Sequence, residues 1–371
     1  MKRITLNSDV FQLLEEWAPR YLAYDWDNVG LQIGSFTNPV KKIMVTLDVL
    51  DSVVDEAIEK NVDLIIAHHP ILFKSINQID VNSPQGAIIQ KLIKYDISVY
   101  ASHTNLDAAH GGVNDMLCDE LLMGKREVLL PTYTEQLYKI AVYVPSTHVD
   151  QLRSALSYSG AGHIGNYSHC TFQTEGQGTF MPLEGTDPYI GSKNDLTKVD
   201  EVKVETIVQE NKLSKVVSSM VKAHPYEEVA YDIFPVENEG VTYGIGRSGK
   251  LQTDMSLKDL SEHVKKVLNV QHVRVTGDLD KNISKIAILG GSGEKYIDQA
   301  IKHGADVYIT GDVTFHTAQD AWQKGLSIID PGHHAEKVMI QAVKHYIEEQ
   351  IQDNSVEIIT SVSNTDPFQF V

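Results

Sequence analysis

The chain has 371 residues, enough for two or three domains that each bury a core of their own. Its formal net charge is −18 and its basic residues occur in runs no longer than a pair, which argues against nucleic acid as a partner. Two cysteines, Cys118 and Cys170, exclude a disulfide framework, and no apolar stretch approaches the ~20 residues of a membrane span. Since Met1 to Leu6 also lead on to Asp9 without an apolar stretch, we expect no signal peptide, no membrane partner and a cytoplasmic location.

The first predicted elements form a strand–helix–strand unit. Residues 42–45 predict a strand, an amphipathic helix follows, and residues 63–67 predict a second, buried strand. This order is typical of parallel strands in an α/β fold. Ligands bind at the carboxyl ends of such strands, where His68 and His69 stand. A vicinal histidine pair by itself also fits a polar loop.

A third strand, residues 98–100, leads to another group of ligand-type side chains. His103 and Asp107 follow it directly. Imidazole and carboxylate are the groups that hold zinc, manganese or iron in reactive sites. Asp107 alone fits a surface loop, so the prediction depends on the combination of these residues with others.

The middle of the chain, residues 134–245, has a different pattern and predicts an inserted domain. Its elements alternate as strand, helix, short strands, strand, helix and strand, the order of a ferredoxin-like α+β domain. We assign these elements to residues 137–144, 148–158, 160–178, 203–208, 211–223 and 229–234. The remaining residues, 1–133 and 246–371, then form one discontinuous α/β domain.

The last third of the chain repeats the first. Residues 285–312 align with residues 42–69 without a gap, at a constant offset of 243. The identical pairs are Lys42/Lys285, Ile43/Ile286, Asp55/Asp298, Ala57/Ala300, Ile58/Ile301 and Asp63/Asp306. So few identities also arise by chance, but the order of elements agrees as well. A further strand, residues 327–329, precedes His333 and Glu336, and its alignment with residues 98–100 places Glu336 on Asp107.

These residues together predict a metal centre with more donors than one tetrahedral ion uses. Histidines and carboxylates without cysteine favour an open, catalytic site over a structural zinc site. Two ions ~3.5–4 Å apart would use such a set and activate water for hydrolysis. Three further histidines are candidates for catalytic or supporting roles, or are simple loop residues: His103, His316 and His334. Gly290 to Gly293 predict a tight turn between a strand and a helix, with anion binding as the weaker alternative.

The sequence closely resembles the NIF-three-like family of dinuclear-metal proteins, whose members are called GTP cyclohydrolase I type-two homologues. The resemblance spans nearly the whole chain and rests on five motifs: Asp27 to Gly34, Ala67 to Pro70, His103 to Asp107, Gly332 to Glu336 and Thr365 to Phe368. Firmicute members of that family carry a PII-like inserted domain, which the resemblance assigns to residues 134–245. It therefore implies a duplicated, discontinuous α/β metal-binding core with an inserted PII-like, ferredoxin-like domain.

The resemblance also implies a ligand set and an assembly. Two divalent ions per subunit, with zinc expected and iron or manganese as alternatives, would be bound by His68, His69, Asp107, His333 and Glu336. The family pattern does not require His334. The family also implies a toroidal homohexamer with its metal sites facing an internal cavity.

Two functions of different classes remain open. The first is a metal-dependent hydrolase that acts on a nucleotide or a related phosphate-bearing small molecule, and the family name implies opening of the GTP imidazole ring with loss of formate. The second is a regulatory or adaptor protein in which the PII-like insert senses a small molecule and the metal ring is a scaffold. Metal storage is disfavoured, because imidazoles and carboxylates do not form a soft transfer site.

Overall fold

A computed structural model describes residues 4–351 and 355–371. Met1 to Arg3, which belong to the segment where we expect no signal peptide, lie outside the described residues. The chain divides into two compact units. We call Met1–Tyr133 with Tyr243–Val371 the core unit, and Thr134–Thr242 the inserted unit. Among the described residues, no helix is both long enough and apolar enough to span a membrane.

The strands are numbered β1 to β15 along the chain. They are Gly30–Ile33 (β1), Lys42–Thr46 (β2), Leu64–Ala67 (β3), Ser98–Ala101 (β4), Met123–Thr134 (β5), Leu137–Pro145 (β6), Phe172–Phe180 (β7), Thr197–Gln209 (β8), Tyr231–Val236 (β9), Thr242–Ser256 (β10), Arg274–Thr276 (β11), Asn282–Ser292 (β12), Val307–Gly311 (β13), Ser327–Asp330 (β14) and Glu357–Thr360 (β15).

The α-helices are numbered α1 to α11 in the same way. They are Asn7–Trp17 (α1), Asp51–Glu59 (α2), Pro84–Lys94 (α3), Thr104–Ala108 (α4), Val113–Glu120 (α5), Val149–Ser159 (α6), Glu210–Ala223 (α7), Leu257–Val267 (α8), Ile297–Lys302 (α9), Phe315–Gln323 (α10) and Val338–Gln350 (α11). Short 3₁₀ helices occupy Arg20–Leu22, Ser146–His148, Glu294–Tyr296 and His333–Lys337. The chain is thus a mixed α/β protein, as its sequence predicts.

The first sheet of the core unit has the order β1-β4-β3-β2-β15. Strands β15, β2, β3 and β4 are parallel, and β1 pairs antiparallel with β4. All four residues of β3, Leu-Ile-Ile-Ala, are buried, which agrees with a strand covered on both faces. The polar residues that follow β3 and β4 therefore emerge side by side at one edge of the sheet.

The second sheet of the core unit has the order β11-β14-β13-β12-β10-β5. Its strands β12, β13 and β14 are parallel, and β11 pairs antiparallel with β14, just as β1 pairs with β4. Asp63 and Asp306, which the sequence alignment pairs, make similar hydrogen bonds in the two sheets. Asp63 accepts two backbone N–H groups at the start of β2, each at 2.8 Å. Asp306 does the same at the start of β12, at 3.0 and 2.9 Å.

One cluster of buried apolar side chains links the two sheets of the core unit. It includes Ile43 and Tyr100 from the first sheet and Ile286 and Ile329 from the second. Since this cluster fixes one sheet against the other, side chains at the ends of β3, β4 and β14 can meet.

The inserted unit is a four-stranded antiparallel sheet in the order β7-β8-β6-β9. Its chain order, β6-α6-β7-β8-α7-β9, is the βαββαβ pattern. Buried side chains such as Leu152 and Val216 from its two helices form a core with the sheet. The sequence predicts short β segments in residues 160–178, whereas the structure has the edge strand Phe172–Phe180 there. This strand is continuous because the long strand β8 pairs with every residue of it.

Glu56 of α2 anchors the segment that follows β15. Its carboxylate accepts hydrogen bonds from Ser361 Oγ at 2.6 Å, the Val362 backbone N–H at 3.0 Å and Lys60 Nζ at 2.6 Å. Burial acts to raise the pKa of Glu56, but these hydrogen bonds outweigh it and lower the pKa to about 2. The negative charge of Glu56 therefore stabilises the folded chain.

We expect Glu56→Gln to lower the free energy of unfolding at pH 7 by about 2–3 kcal/mol, at ~1.4 kcal/mol per pKa unit. Because the folded pKa lies below the unfolded value of ~4.3, this stability is fully present above about pH 5 and is lost as the pH falls toward 2. Urea unfolding of both proteins between pH 7 and pH 3 measures the difference. Glu59→Gln, on the exposed face of the same helix, is the matched control and should change little. A difference that grows as the pH falls would contradict this role.

Candidate metal centre

Six histidine and carboxylate side chains of the core unit meet where three strands end. They are His68 and His69 after β3, His103 and Asp107 after β4, and His333 and Glu336 in the 3₁₀ helix after β14. The chain forms a 3₁₀ turn over His333–Lys337 before α11 begins at Val338. Residues three apart are eclipsed in a 3₁₀ helix, so His333 and Glu336 still point to the same side.

Glu336 is the centre of this cluster. It is 3% exposed, and its Oε2 atom lies 3.1 Å from His69 Nε2, 3.3 Å from His333 Nε2 and 3.8 Å from His68 Nε2. Asp107 Oδ1 lies 3.6 Å from the same His68 nitrogen. Residues from both sheets therefore approach one carboxylate oxygen.

The histidines of the cluster are held through Nδ1. The acceptors are the Ser102 carbonyl for His68 at 2.8 Å, Asp48 for His69 at 2.6 Å, Asp27 for His103 at 2.9 Å and Asp312 for His333 at 2.6 Å. A carbonyl only accepts, so His68 carries its proton on Nδ1. This pattern, in which an outer acceptor fixes the ring and leaves Nε2 for coordination, is typical of metal-binding histidines.

The electrostatic environment of the cluster favours a bound cation. Burial acts to lower the pKa of His69, but its hydrogen bonds to Asp48 and Glu336 outweigh this and raise the pKa to about 10. The hydrogen bond to Glu336 raises the pKa of His333 to about 9. Burial, and then the charge of Glu336, raise the pKa of Asp107 above its ordinary value. Protons thus collect where positive charge is needed, and a divalent cation would replace them.

Unsatisfied buried atoms test whether the residues fit a metal. His68 Nε2 and Asp107 Oδ1 are both buried and have no hydrogen-bond partner, which costs free energy unless something binds them. Donor atoms lie within 4.8 Å of one another in three groups: His68–Asp107–Glu336, His69–His333–Glu336 and His68–His69–His103. The all-nitrogen-and-oxygen donor set fits divalent transition metals, and the cluster opens into a cavity of about 480 Å³.

Two glycines in the last part of β12 make room for the Glu336 carboxylate. A Cβ atom on Gly291 would lie 2.6 Å from Glu336 Oε1, and one on Gly290 would lie 3.1 Å from it. Gly291 also has φ of +64°, which favours glycine. The sequence predicts a tight turn at Gly290 to Gly293, but β12 continues through Ser292, and the glycines instead allow a close approach to Glu336.

The three additional histidines have different positions. His103 belongs to the cluster, with its ring 5.2 Å from that of His68. His334 lies beside the cluster, where its Nε2 is 3.3 Å from Thr365 Oγ1, and burial, then Lys337, lower its pKa. His316 is exposed on α10 and contacts Gln319, so the structure does not bring it to the cluster.

Sequence reasoning missed the carboxylates that orient the histidines. Asp48 follows β2 and Asp312 follows β13, positions at strand ends that could have identified them. The Asp27 side chain is fully buried and also accepts hydrogen bonds from the backbone and hydroxyl of Thr104. Burial acts to raise the pKa of Asp27, but the hydrogen bonds from His103 and Thr104 outweigh it and hold the pKa below its usual range.

A family model described as Duf34/NIF3 (NGG1p interacting factor 3) matches residues 5–367. The chain belongs to this family. Relatives in Halalkalibacterium halodurans and Bacillus subtilis, each named GTP cyclohydrolase 1 type 2 homolog, are 49% identical over 371 and 373 residues and match 100% of both chains. A solved Bacillus cereus protein described as related to NIF3 has a TM-score of 0.94, with 48% identity over 100% of both chains. The predicted family membership is thus confirmed, and the fold is that of NIF3-related proteins.

Proposed function

We propose that this chain is a metal-dependent hydrolytic enzyme that acts on a nucleotide or a related phosphate compound at a dinuclear centre. The observation that carries the proposal is the position of Glu336, whose carboxylate belongs to two of the three donor groups. One ion would be held by His68 and Asp107 and the other by His69 and His333, with Glu336 shared between them. Zinc is the expected ion, and iron and manganese suit the same donors.

Two bound divalent metal ions would lower the pKa of a water molecule and draw charge from a substrate oxygen. The chain's own residues supply the rest. Asp48, Asp27 and Asp312 hold the imidazoles in the tautomer that directs Nε2 toward the cluster. His103 lies at the wall of the cavity, where it can hold or pass a proton to a bound substrate, or serve as an additional ligand.

The relatives' name supports one specific reaction. Proteins at 49% identity over the full chain are named GTP cyclohydrolase 1 type 2 homolog. We therefore propose GTP, or another compound with a hydrolysable ring, as the substrate class. Opening of the guanine imidazole ring by water with release of formate is the reaction to test first.

We expect the metal-loaded protein to deplete one species from a cell metabolite extract, as measured by mass spectrometry. Release of formate together with loss of GTP would support the specific reaction. Asp107→Ala should lower turnover by at least about 100-fold because it removes a proposed ligand, whereas His316→Ala, on the exposed face of α10, should retain it. A metal-loaded wild-type protein that depletes nothing would contradict the enzymatic function.

A cavity in the inserted unit favours the second candidate function, a regulatory protein with a ligand-sensing insert. The cavity has a volume of about 650 Å³ and is lined by aromatic side chains that include Phe180, Tyr189 and Tyr226. Such concave, aromatic-lined sites are typical of small-molecule binding. Binding of a metabolite to the full chain without turnover, lost in Tyr226→Ala, would support this function over the first.

We also propose the finer features of the architecture and assembly. The matched pairing of β1 with β4 and β11 with β14, and the matched bonds of Asp63 and Asp306, support duplication of the core. The βαββαβ order supports a PII-like insert. The proposed assembly is a cytoplasmic homohexamer with metal sites that face an internal cavity. Sedimentation analysis of the metal-loaded protein should show six chains.

A further inference from the structure

The cavity over the metal cluster has an aromatic wall. Trp26 and Phe73 line it and are 59% and 49% exposed, which is unusual for large apolar side chains inside a pocket. Their ring centroids are 5.7 Å apart at 65°, and each lies 6.3 Å from the ring of His103. Tyr24 backs Trp26 in a near-parallel stack, with centroids 5.7 Å apart and planes 12° apart. Apolar ring surface therefore faces open space beside His103 of the candidate metal cluster.

Two loops carry this wall and are fastened to each other. Asn28 Nδ2 donates to the Leu72 carbonyl at 2.8 Å, and the Leu72 backbone N–H donates to Gln32 Oε1 at 3.3 Å. These bonds join the loop of Trp26 to the loop of Phe73. The two rings are thus held at a fixed separation before anything binds.

Polar groups in the cavity suit a neutral ring better than a phosphate chain. Of the described residues that line this cavity, none is Lys or Arg. The lining also includes Asp48, Asp107 and Glu336, whose charges disfavour an anion wherever no metal neutralises them.

We propose that the core unit binds its substrate through a planar heteroaromatic ring, which stacks on Trp26 and Phe73. The aromatic wall selects the ring and brings it next to His103 and the metal cluster. Phosphate groups, where a substrate has them, contribute little to binding by this chain. This inference rests on the proposed function for the identity of the site, and it names the part of the substrate that the site recognises.

The test uses tryptophan fluorescence and calorimetry on the full-length, metal-loaded protein. The probes are guanosine, adenosine, uridine, GTP and inorganic tripolyphosphate. We expect at least one nucleoside to quench the fluorescence, GTP to bind no more than about threefold tighter than guanosine, and tripolyphosphate not to compete. Trp26→Leu should weaken nucleoside binding by about 5- to 150-fold, the range for loss of one base–aromatic stack, and this variant should retain its metal.

Trp322 provides a matched control, because it is also 59% exposed but lies on α10, outside this cavity. Trp322→Phe should leave both the quenching and the affinity unchanged, and Phe73→Leu should weaken binding as Trp26→Leu does. The inference is overturned if no nucleoside binds, if tripolyphosphate binds as tightly as GTP, or if Trp26→Leu binds nucleosides like the wild type. Nucleoside binding without turnover would uphold it while contradicting the enzymatic function.

Discussion

Replacing Glu336 by Gln is expected to reduce metal binding more than any other single substitution in the chain. Gln keeps the shape of the side chain but removes the charge that faces His68, His69 and His333. Loss of an outer hydrogen-bond partner alone lowers metal affinity by about 10–100-fold, so loss of the proposed shared ligand should lower it by at least ~100-fold. Metal content after dialysis, measured by inductively coupled plasma mass spectrometry, should fall from two ions per chain to fewer than one.

The control for this substitution is Glu348→Gln on α11, a surface carboxylate that pairs only with Lys344 at 3.6 Å among the residues described. It should keep the full metal content. Circular dichroism separates metal loss from unfolding, since Glu336→Gln should retain its helical signal. Full metal content in a folded Glu336→Gln protein would contradict the shared-ligand assignment.

Replacing Arg247 by Met is expected to cause the largest loss of stability. The Arg247 side chain is 2% exposed and donates to Asp115 at 3.0 and 2.7 Å, and also to the carbonyls of Gly244, Gly246 and Ala109. These bonds join β10 to α5 in the core unit. Without Arg247, Asp115 keeps Arg126 as an ion-pair partner, but three carbonyls lose their donor. We therefore expect a loss of about 3 kcal/mol, the lower end of the range for breaking a buried ion pair. The midpoint of urea unfolding measures this loss.

A double variant separates the charge effect from simple loss of packing. If the loss of charge compensation at Asp115 causes the instability, Arg247→Met with Asp115→Leu should recover part of the free energy of unfolding. Recovery should be incomplete, because Asp115 also pairs with Arg126 at 2.7 Å and accepts the Gly111 N–H at 2.9 Å. An Arg247→Met protein as stable as the wild type would show that this buried pair does not stabilise the fold.

The sequence allowed the α/β class and the family to be predicted, because both depend on local signals. Apolar runs such as residues 64–67 identify buried strands, and polar residues directly after them mark strand ends. Those strand ends do converge, and they bring His68, His69, Asp107, His333 and Glu336 together. That these side chains bind two ions stays a prediction.

The rest of the site depends on long-range packing that no local pattern contains. Asp27 reaches His103 across 76 residues of sequence, and His69 reaches Glu336 across 267. His316 and His334 were equal candidates in the sequence, but one turns outward on α10 while the other faces Thr365. Which of them approaches the cluster is decided by the docking of the elements that carry them.

Anomalous X-ray scattering from crystals of the metal-loaded protein tests the dinuclear centre most directly. We expect two peaks per chain about 3.5–4 Å apart, one beside His68 and Asp107 and one beside His69 and His333, with Glu336 next to both. Each ion should lie about 2.0–2.2 Å from its nearest nitrogen or oxygen donors. Two peaks in these positions would establish the centre. A single peak, or peaks away from Glu336, would contradict it.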